Sequence, residues 1–381
     1  MTRDRVRVVI AGGGTGGHTS AGLAIAAGLR GRLGDAVELH WIGSRSGLEA
    51  TQAPAAGIPY HAIATGKLRR SLTARNVSDL GLRVPAGFGQ AWRLLGALRP
   101  DVVVATGGFV AVPTAFAAAL RRRPLLVHEQ VVVPGLANRV IARLAARVAV
   151  TFAASAPAFP RPKVVITGNP IRPALLAGDR ARGFERFGLD RAAPLVYVTG
   201  GAQGSHRINR AVGAVLDPLL GVAQVVHQCG DNEFNDLGWL RARAEALPPT
   251  VRARYRVIPF VSEALPDLYA AASLAVSRAG AGTVTELCAV GLPAILIPLP
   301  GTRGDEQTAN ARVLAEAGAA VLVPQAQLTP DGLAALVREL LDEPGRLAEM
   351  RERARSLATP DATARLVDLI LALAERSRAS Q

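Results

Sequence analysis

Twice along this chain a short apolar run ends in a glycine cluster and passes at once into a helical pattern. Residues 7–11 lead into Gly12, Gly13, Gly14, Thr15, Gly16, Gly17 and His18, and helical periodicity resumes at Leu23, Ile25 and Leu29. Residues 195–199 lead into Gly200, Gly201, Ala202, Gln203, Gly204 and Ser205, with Ile208, Ala211, Val212 and Val215 following at helical spacing. Each reads as the opening of a βαβ series, because a strand buried on both faces is a continuous apolar run and needs a helical crossover to its parallel neighbour. A chain of 381 residues exceeds one ordinary core. Two such series therefore predict an α/β fold of two doubly wound parallel-sheet domains facing a central cleft. Gly168, Asn169, Pro170 and Pro173 set the boundary between residues 1–166 and 167–350. A last helix in 351–381, with Leu366, Leu369, Ile370 and Leu373 on one face, is expected to pack back on the N-terminal domain.

The stretch 277–310 carries the densest polar punctuation. A strand at 273–276 runs into a turn at Gly280 and Gly282, for which positive φ is expected. Thr283 is placed as the helix N-cap, with Glu286 completing an S/T-x-x-E capping box. A helix N-terminus after a glycine turn offers N–H groups to a diphosphate. Glu286 then either caps its helix or binds the two hydroxyls of a ribose. The next strand, 294–297, is followed by Asp305, Glu306 and Gln307, where ligands of parallel sheets gather.

Three chemistries compete for the first glycine turn. Gly12-x-Gly14-x-x-Gly17 fits the dinucleotide fingerprint, but the second strand ends in Gly43, Ser44 and Arg45 with no acid for a ribose, which leaves only NADP, through Arg45. The P-loop frame also fits, with His18 where the phosphate-binding lysine belongs. The third presents His18 at a helix N-terminus as a general base, against the plainer alternative of a capping or core histidine. Further strands end in Thr106, Gly107 and Gly108 and in His128, Glu129 and Gln130. His18, Gly107, Gly108 and Glu129 should therefore share one sheet edge, unless His128 and Glu129 are only a structural strand-end pair.

Formal net charge is +14, which calls for an anionic partner or a solvated basic surface. Residues 61–99 interleave cations (Lys67, Arg69, Arg70, Arg93) with Leu68, Phe88, Trp92 and Leu95, as an anionic lipid surface requires and as an ordinary amphipathic helix also would. Zinc spacing, a basic zipper and an RNA-binding aromatic signature are missing, so nucleic acid is disfavoured. Cys229 and Cys288 read as reduced thiols of a cytosolic protein, and no apolar run reaches bilayer-spanning length. Contact with a membrane would be peripheral, from the cytoplasmic face.

Eight motifs, in order, carry a family resemblance: residues 13–18, 107–110, 128–130, 168–172, 200–204, 227–230, 277–281 and 305–311. Together they resemble the MurG family, peptidoglycan N-acetylglucosaminyltransferases that convert lipid I to lipid II, over essentially the whole chain. The resemblance implies a GT-B fold and inverting transfer of N-acetylglucosamine from UDP-N-acetylglucosamine to the C4 hydroxyl of the undecaprenyl-linked muramoyl-pentapeptide, with no cofactor and no metal. The chain has no Asp-x-Asp pair to hold a diphosphate-bound metal, so leaving-group charge falls to backbone N–H groups and Arg172. By the same resemblance Phe260 and Val261 match the uracil segment and Glu286 the ribose ligand. Gln307 matches a sugar contact, and Gly201, Ala202, Gln203 and Gly204 the diphosphate cradle. Thr15, Gly16 and Gly17 match the loop over the donor, and His18 and Glu129 the candidate bases. Gly107, Gly108, His128, Lys67, Arg69 and Arg70 fall on the acceptor and membrane side. The sequence departs from the family at Val131 (usually Asn), Ala202 (usually Ser) and Thr19-Ser20 (usually aromatic-Pro). The alternatives are a related lipid glycosyltransferase using another UDP-hexose, an NADP-dependent reductase and a membrane-surface scaffold.

Overall fold

The computed structural model describes residues 5–66 and 83–379. They fall into two compact units, residues 1–172 with 359–381, and residues 173–358.

The first unit is built on seven parallel strands: β1 (Val6–Gly12), β2 (Val37–Gly43), β3 (Tyr60–Ala62), β4 (Val102–Gly107), β5 (Leu125–Glu129), β6 (Arg147–Val150) and β7 (Val164–Ile166). Their order is β3-β2-β1-β4-β5-β6-β7. Chain direction across the sheet reverses between β1 and β4, the switch point at which open α/β sheets bind ligands. Both faces of the sheet are covered. On one, Val9, Ala11, Val103, Ala105 and Val127 meet Ala91, Leu95, Ala115 and Ile141. On the other, Val8, Ile10, Val102, Val104 and Leu126 meet Ile25, Leu29, Leu366, Ile370 and Leu373. The helix Ala362–Ala379 thus closes the core of this unit, and each fully buried Leu or Ile on it contributes about 1.5–3 kcal/mol. Gly28 lets it approach the helix Gly16–Leu33, since a Cβ there would lie 2.6 Å from the Thr363 methyl. At the far end Arg378 reaches the buried carboxylate of Asp101 at 3.0 Å, which also accepts the N–H of Arg7 at 2.9 Å.

The second unit repeats the plan with six parallel strands: β8 (Leu195–Thr199), β9 (Gln224–Gln228), β10 (Tyr255–Ile258), β11 (Leu274–Ser277), β12 (Ala294–Leu296) and β13 (Ala320–Leu322). They lie in the order β10-β9-β8-β11-β12-β13, with the switch point between β8 and β11. Its core joins Val196, Val198, Val225, Val276 and Ile295 to Ile208, Val212, Leu219, Leu333 and Val337. Among the described residues no helix is long and apolar enough to cross a membrane. Lys67, Arg69 and Arg70 lie outside the described residues.

Candidate active site

Both glycine turns stand at the carboxyl end of the strand beside a switch point, so each unit brings its own polar set to one rim. In the first unit Thr15 is the N-cap of the helix Gly16–Leu33, its hydroxyl accepting the N–H of His18 at 3.4 Å. His18 lies one turn in, half-buried, against the loop that follows β4. Gly107 and Gly108 make that approach possible: a Cβ on Gly107 would meet the His18 ring at 2.6 Å, and one on Gly108 the carbonyl of Gly13 at 2.3 Å. Both glycines have positive φ (113° and 83°), a second reason that only glycine fits.

Gln130 fixes the state of His18. Its amide nitrogen donates to the carbonyl of Thr106 at 2.7 Å and lies 3.2 Å from that of His128, so the other amide atom, 2.8 Å from His18 Nδ1, must be the oxygen. An amide oxygen only accepts, and His18 therefore carries its proton on Nδ1. Nε2 is left as the basic atom. Burial lowers the imidazole below its ordinary 6.5, with the Gln130 bond and the Glu49 charge opposing, so the ring is neutral at neutral pH.

Glu129 and His128 face inward. The Glu129 carboxylate accepts the N–H of Val131 at 3.1 Å, that of Gly135 at 3.3 Å and the Asn138 amide at 3.0 Å. Burial pushes it up to about 7. At that value it could act as a base, but only 1% of the residue is exposed and its oxygens organise the 131–135 loop. His128, fully buried, donates from Nε2 to Gly168 O at 3.2 Å and accepts Gln130 on Nδ1 at 2.9 Å. Burial brings it down to about 4.

The space below the first glycine turn is taken by Glu49, whose carboxylate accepts the N–H of Gly14 at 3.1 Å. A dinucleotide diphosphate resting on this turn would face that negative charge, which weighs against the NADP alternative.

In the second unit the turn after β8 is held from behind. Gly204 and Gly230 pack backbone to backbone, with a Cβ on Gly204 only 1.8 Å from the carbonyl of Cys229. Gln228 donates to Gly201 O at 2.9 Å and to Thr199 Oγ1 at 3.2 Å, and it accepts the Val261 N–H at 3.0 Å. Arg278 donates to Ser205 Oγ at 2.7 Å and to the carbonyls of Ile297 and Pro298, each at 3.0 Å. Ser205 in turn caps the helix His206–Ala214. Ala202 and Gln203 are left on the exposed side of the turn, and Gly201 has empty space where a Cβ would stand.

The helix Ala281–Val290 differs from its sequence-based expectation. Gly280, not Thr283, is the N-cap, and no side chain caps this end. Gly280 has φ −63° and Gly282 is helical, so neither needs left-handed backbone. The S/T-x-x-E pattern is present without the capping box, because the helix starts three residues earlier and Glu286 stands in its second turn. There Glu286 accepts the Tyr269 hydroxyl at 2.9 Å. The uncapped N–H groups and the empty space at Gly282 leave this helix end open to an anion. Phe260, 56% exposed, offers a flat apolar face next to Val261. Gln307 accepts Leu299 N–H at 3.0 Å. Arg172 is exposed at the end of the first unit's main segment.

Residues 8–150 match the glycosyltransferase family 28 N-terminal domain and residues 195–366 its C-terminal domain. The chain is 41% identical over 380 residues to a protein of Salinibacter ruber named UDP-N-acetylglucosamine--N-acetylmuramyl-(pentapeptide) pyrophosphoryl-undecaprenol N-acetylglucosamine transferase, covering 99% of this chain and 100% of that one. A protein of the same name from a Nocardioides species is 42% identical over 383 residues, covering 97% and 98%. The crystal structure of Acinetobacter baumannii MurG superposes with a TM-score of 0.73 at 30% identity, covering 96% of this chain and 99% of that one. The chain belongs to the MurG family. Like that MurG structure, it is a two-domain α/β chain of GT-B type.

Sequence reasoning on MurG-type motifs singled out the residues at the turns but passed over those that hold them. Glu49, Asn138, Gln228 and Arg278 are such supports. For Arg278 the only signal was its place inside a motif; for Glu49 it was a carboxylate flanked by Gly43, Gly47 and Ser44.

Proposed function

We propose that this protein transfers N-acetylglucosamine from UDP-N-acetylglucosamine to the C4 hydroxyl of lipid I, giving lipid II in peptidoglycan synthesis. The carrying observation is the full-length similarity, at 41–42% identity, to proteins named for that reaction. Both rims supply parts that fit it. The second unit takes the donor: Phe260 and Val261 against uracil, Glu286 on the ribose hydroxyls, and Gln307 on the sugar. The diphosphate sits on the open helix end at Gly282 and on the turn of Gly201, Ala202, Gln203 and Gly204. These N–H groups stabilise the leaving UDP as its negative charge develops.

The first unit takes the acceptor. As the C4 oxygen bonds to C1 of the sugar and the C1–O bond to the diphosphate breaks, the hydroxyl proton passes to His18 Nε2. His18 suits this role because Gln130 keeps Nε2 unprotonated. Glu129 shapes the 131–135 loop beside it, and Gly107 and Gly108 give the ring its room.

A peripheral position at the cytoplasmic membrane face is supported by apolar side chains on two helices that pack on each other, Val84–Leu98 and Ala111–Leu120. Trp92, Phe116 and Leu120 are exposed there, with the Arg121 guanidinium 4.0 Å over the Trp92 ring. Aromatic and aliphatic groups beside arginine suit an anionic lipid surface.

The test is transfer of labelled N-acetylglucosamine to a lipid I analogue, with UDP and NADPH titrated calorimetrically. Turnover with UDP binding is expected. Binding of NADPH without UDP, and no transfer, would overturn the proposal.

A further inference from the structure

Glu49 is fully buried, a carboxylate at the start of the short helix Glu49–Ala55. The backbone around it is shaped to admit it. A Cβ on Gly13 would stand 2.1 Å from its carboxyl carbon, one on Gly47 2.1 Å from Oε2, and one on Gly43 2.7 Å from its Cγ. Gly13 belongs to the turn after β1, Gly43 ends β2, and Gly47 lies in the loop that follows it. Glu49 joins those loops. Oε2 accepts the N–H of Gly14 at 3.1 Å, while Oε1 accepts the N–H of Ser44 at 3.1 Å and its hydroxyl at 2.6 Å. Tyr60 Oη in turn donates to Ser44 O.

What the turn carries is His18. Gly14 (φ 81°) is followed by Thr15, whose hydroxyl accepts His18 N–H, and the carbonyl of Gly13 lies against Gly108. We infer that Glu49 is a positioning residue for the transfer reaction, a buried anchor that holds the 12–15 turn to the end of β2 and so fixes where His18 Nε2 points. A carboxylate suits the task better than an amide, since all three of its partners are donors. Its ionised form is favoured by those bonds against the opposing effect of burial, which leaves its pKa lowered.

The inference rests on the proposed transferase reaction, and Glu49→Gln tests it. In that variant the amide oxygen keeps the two Ser44 donors, so the NH2 faces Gly14 N–H, donor against donor, and the turn is pushed away. We expect kcat to fall about 10- to 100-fold, the scale of an ångström-sized misplacement. KM for UDP-N-acetylglucosamine and the Kd for UDP should stay within about threefold, because Phe260, Val261, Glu286 and Gln307, which the proposal sets on the nucleotide and the sugar, lie in the other unit. The Nδ1–H resonance of His18, bonded to Gln130, should shift in the NMR spectrum. A lower melting temperature with unchanged kcat per folded molecule and an unmoved resonance would overturn the inference. Should Glu49→Gln fail to fold, Ser44→Ala removes only the 2.6 Å hydroxyl bond. It is expected to lower kcat several-fold with the same constant KM and shifted resonance, and wild-type kcat would overturn the idea. Failure of the transferase proposal reads differently: the wild type itself would transfer no sugar, and the His18 resonance of Glu49→Gln would then decide the positioning role.

Discussion

Glu286→Ala separates ligand binding from helix capping more cleanly than any other single change. Gly280 is the N-cap and Glu286 stands a turn further on, so truncation removes no cap. It does remove the acceptor of the Tyr269 hydroxyl bond, 2.9 Å long, which costs about 1 kcal/mol and is partly offset by the helix preference of alanine. For a unit of this size that lowers the melting temperature by roughly 2–4 °C. Binding should suffer more. A carboxylate accepting ribose hydroxyls makes charge-assisted bonds worth about 1.5–3 kcal/mol, or roughly a 10- to 150-fold rise in the Kd for UDP. Isothermal titration of UDP into the wild type, Glu286→Ala and Glu286→Gln measures it. The glutamine variant, which keeps a neutral acceptor, should fall between the other two. A Kd within twofold of wild type for the alanine variant would refute the assignment of Glu286 to the ribose.

His18→Ala should lower turnover at saturating substrates roughly 100-fold or more while leaving the Kd for UDP unchanged; near-normal turnover would remove His18 as the base. A base works only unprotonated, and burial lowers His18 below 6.5 while pushing Glu129 up to about 7. The acid limb of the kcat profile should therefore have its midpoint below 6.5, whereas an acid limb centred near 7 would assign the base to Glu129. Arg378→Ala leaves the buried Asp101 carboxylate without that ion pair and should destabilise the first unit by roughly 1–3 kcal/mol, discounted because Arg378 is partly exposed, with UDP affinity unchanged in calorimetry. Leu120→Asp combined with Trp92→Ala should weaken sedimentation with anionic vesicles roughly tenfold or more, and undiminished binding would exclude these helices as the docking face.

The two sheets were legible because parallel strands buried on both faces cannot hide. The apolar run 195–199 is β8, and the run 7–11 gains one residue at each end in β1, where ladder pairing carries the strand past its apolar stretch. The start of the helix at Ala281 was not legible. Thr283 and Glu286 have the right letters and spacing for a capping box, but tertiary context starts the helix earlier, and an end left uncapped by its own side chains is one kept available for something else.

Glycine was the other ambiguous letter, and its two uses carry opposite consequences. Gly13, Gly107, Gly108 and Gly204 are glycines because protein atoms already fill the Cβ position, those of Glu49, His18, Gly13 and Cys229 respectively. Gly14, Gly17, Gly201 and Gly282 have nothing within 4 Å of that position. Gly14 and Gly201 still need glycine for their positive φ, whereas Gly17 and Gly282 lie in ordinary helical backbone, where alanine would gain about 1 kcal/mol of helix stability. Nothing inside the protein then accounts for glycine at those two places, which are both first-turn positions of a helix on the rim of a switch point. Space kept free at a helix N-terminus, at a cost in stability, is what close approach of a ligand requires. Gly282→Ala should accordingly raise the melting temperature by a few degrees and weaken UDP binding together, and a variant that gains stability without losing affinity would show that no phosphate comes close at Gly282.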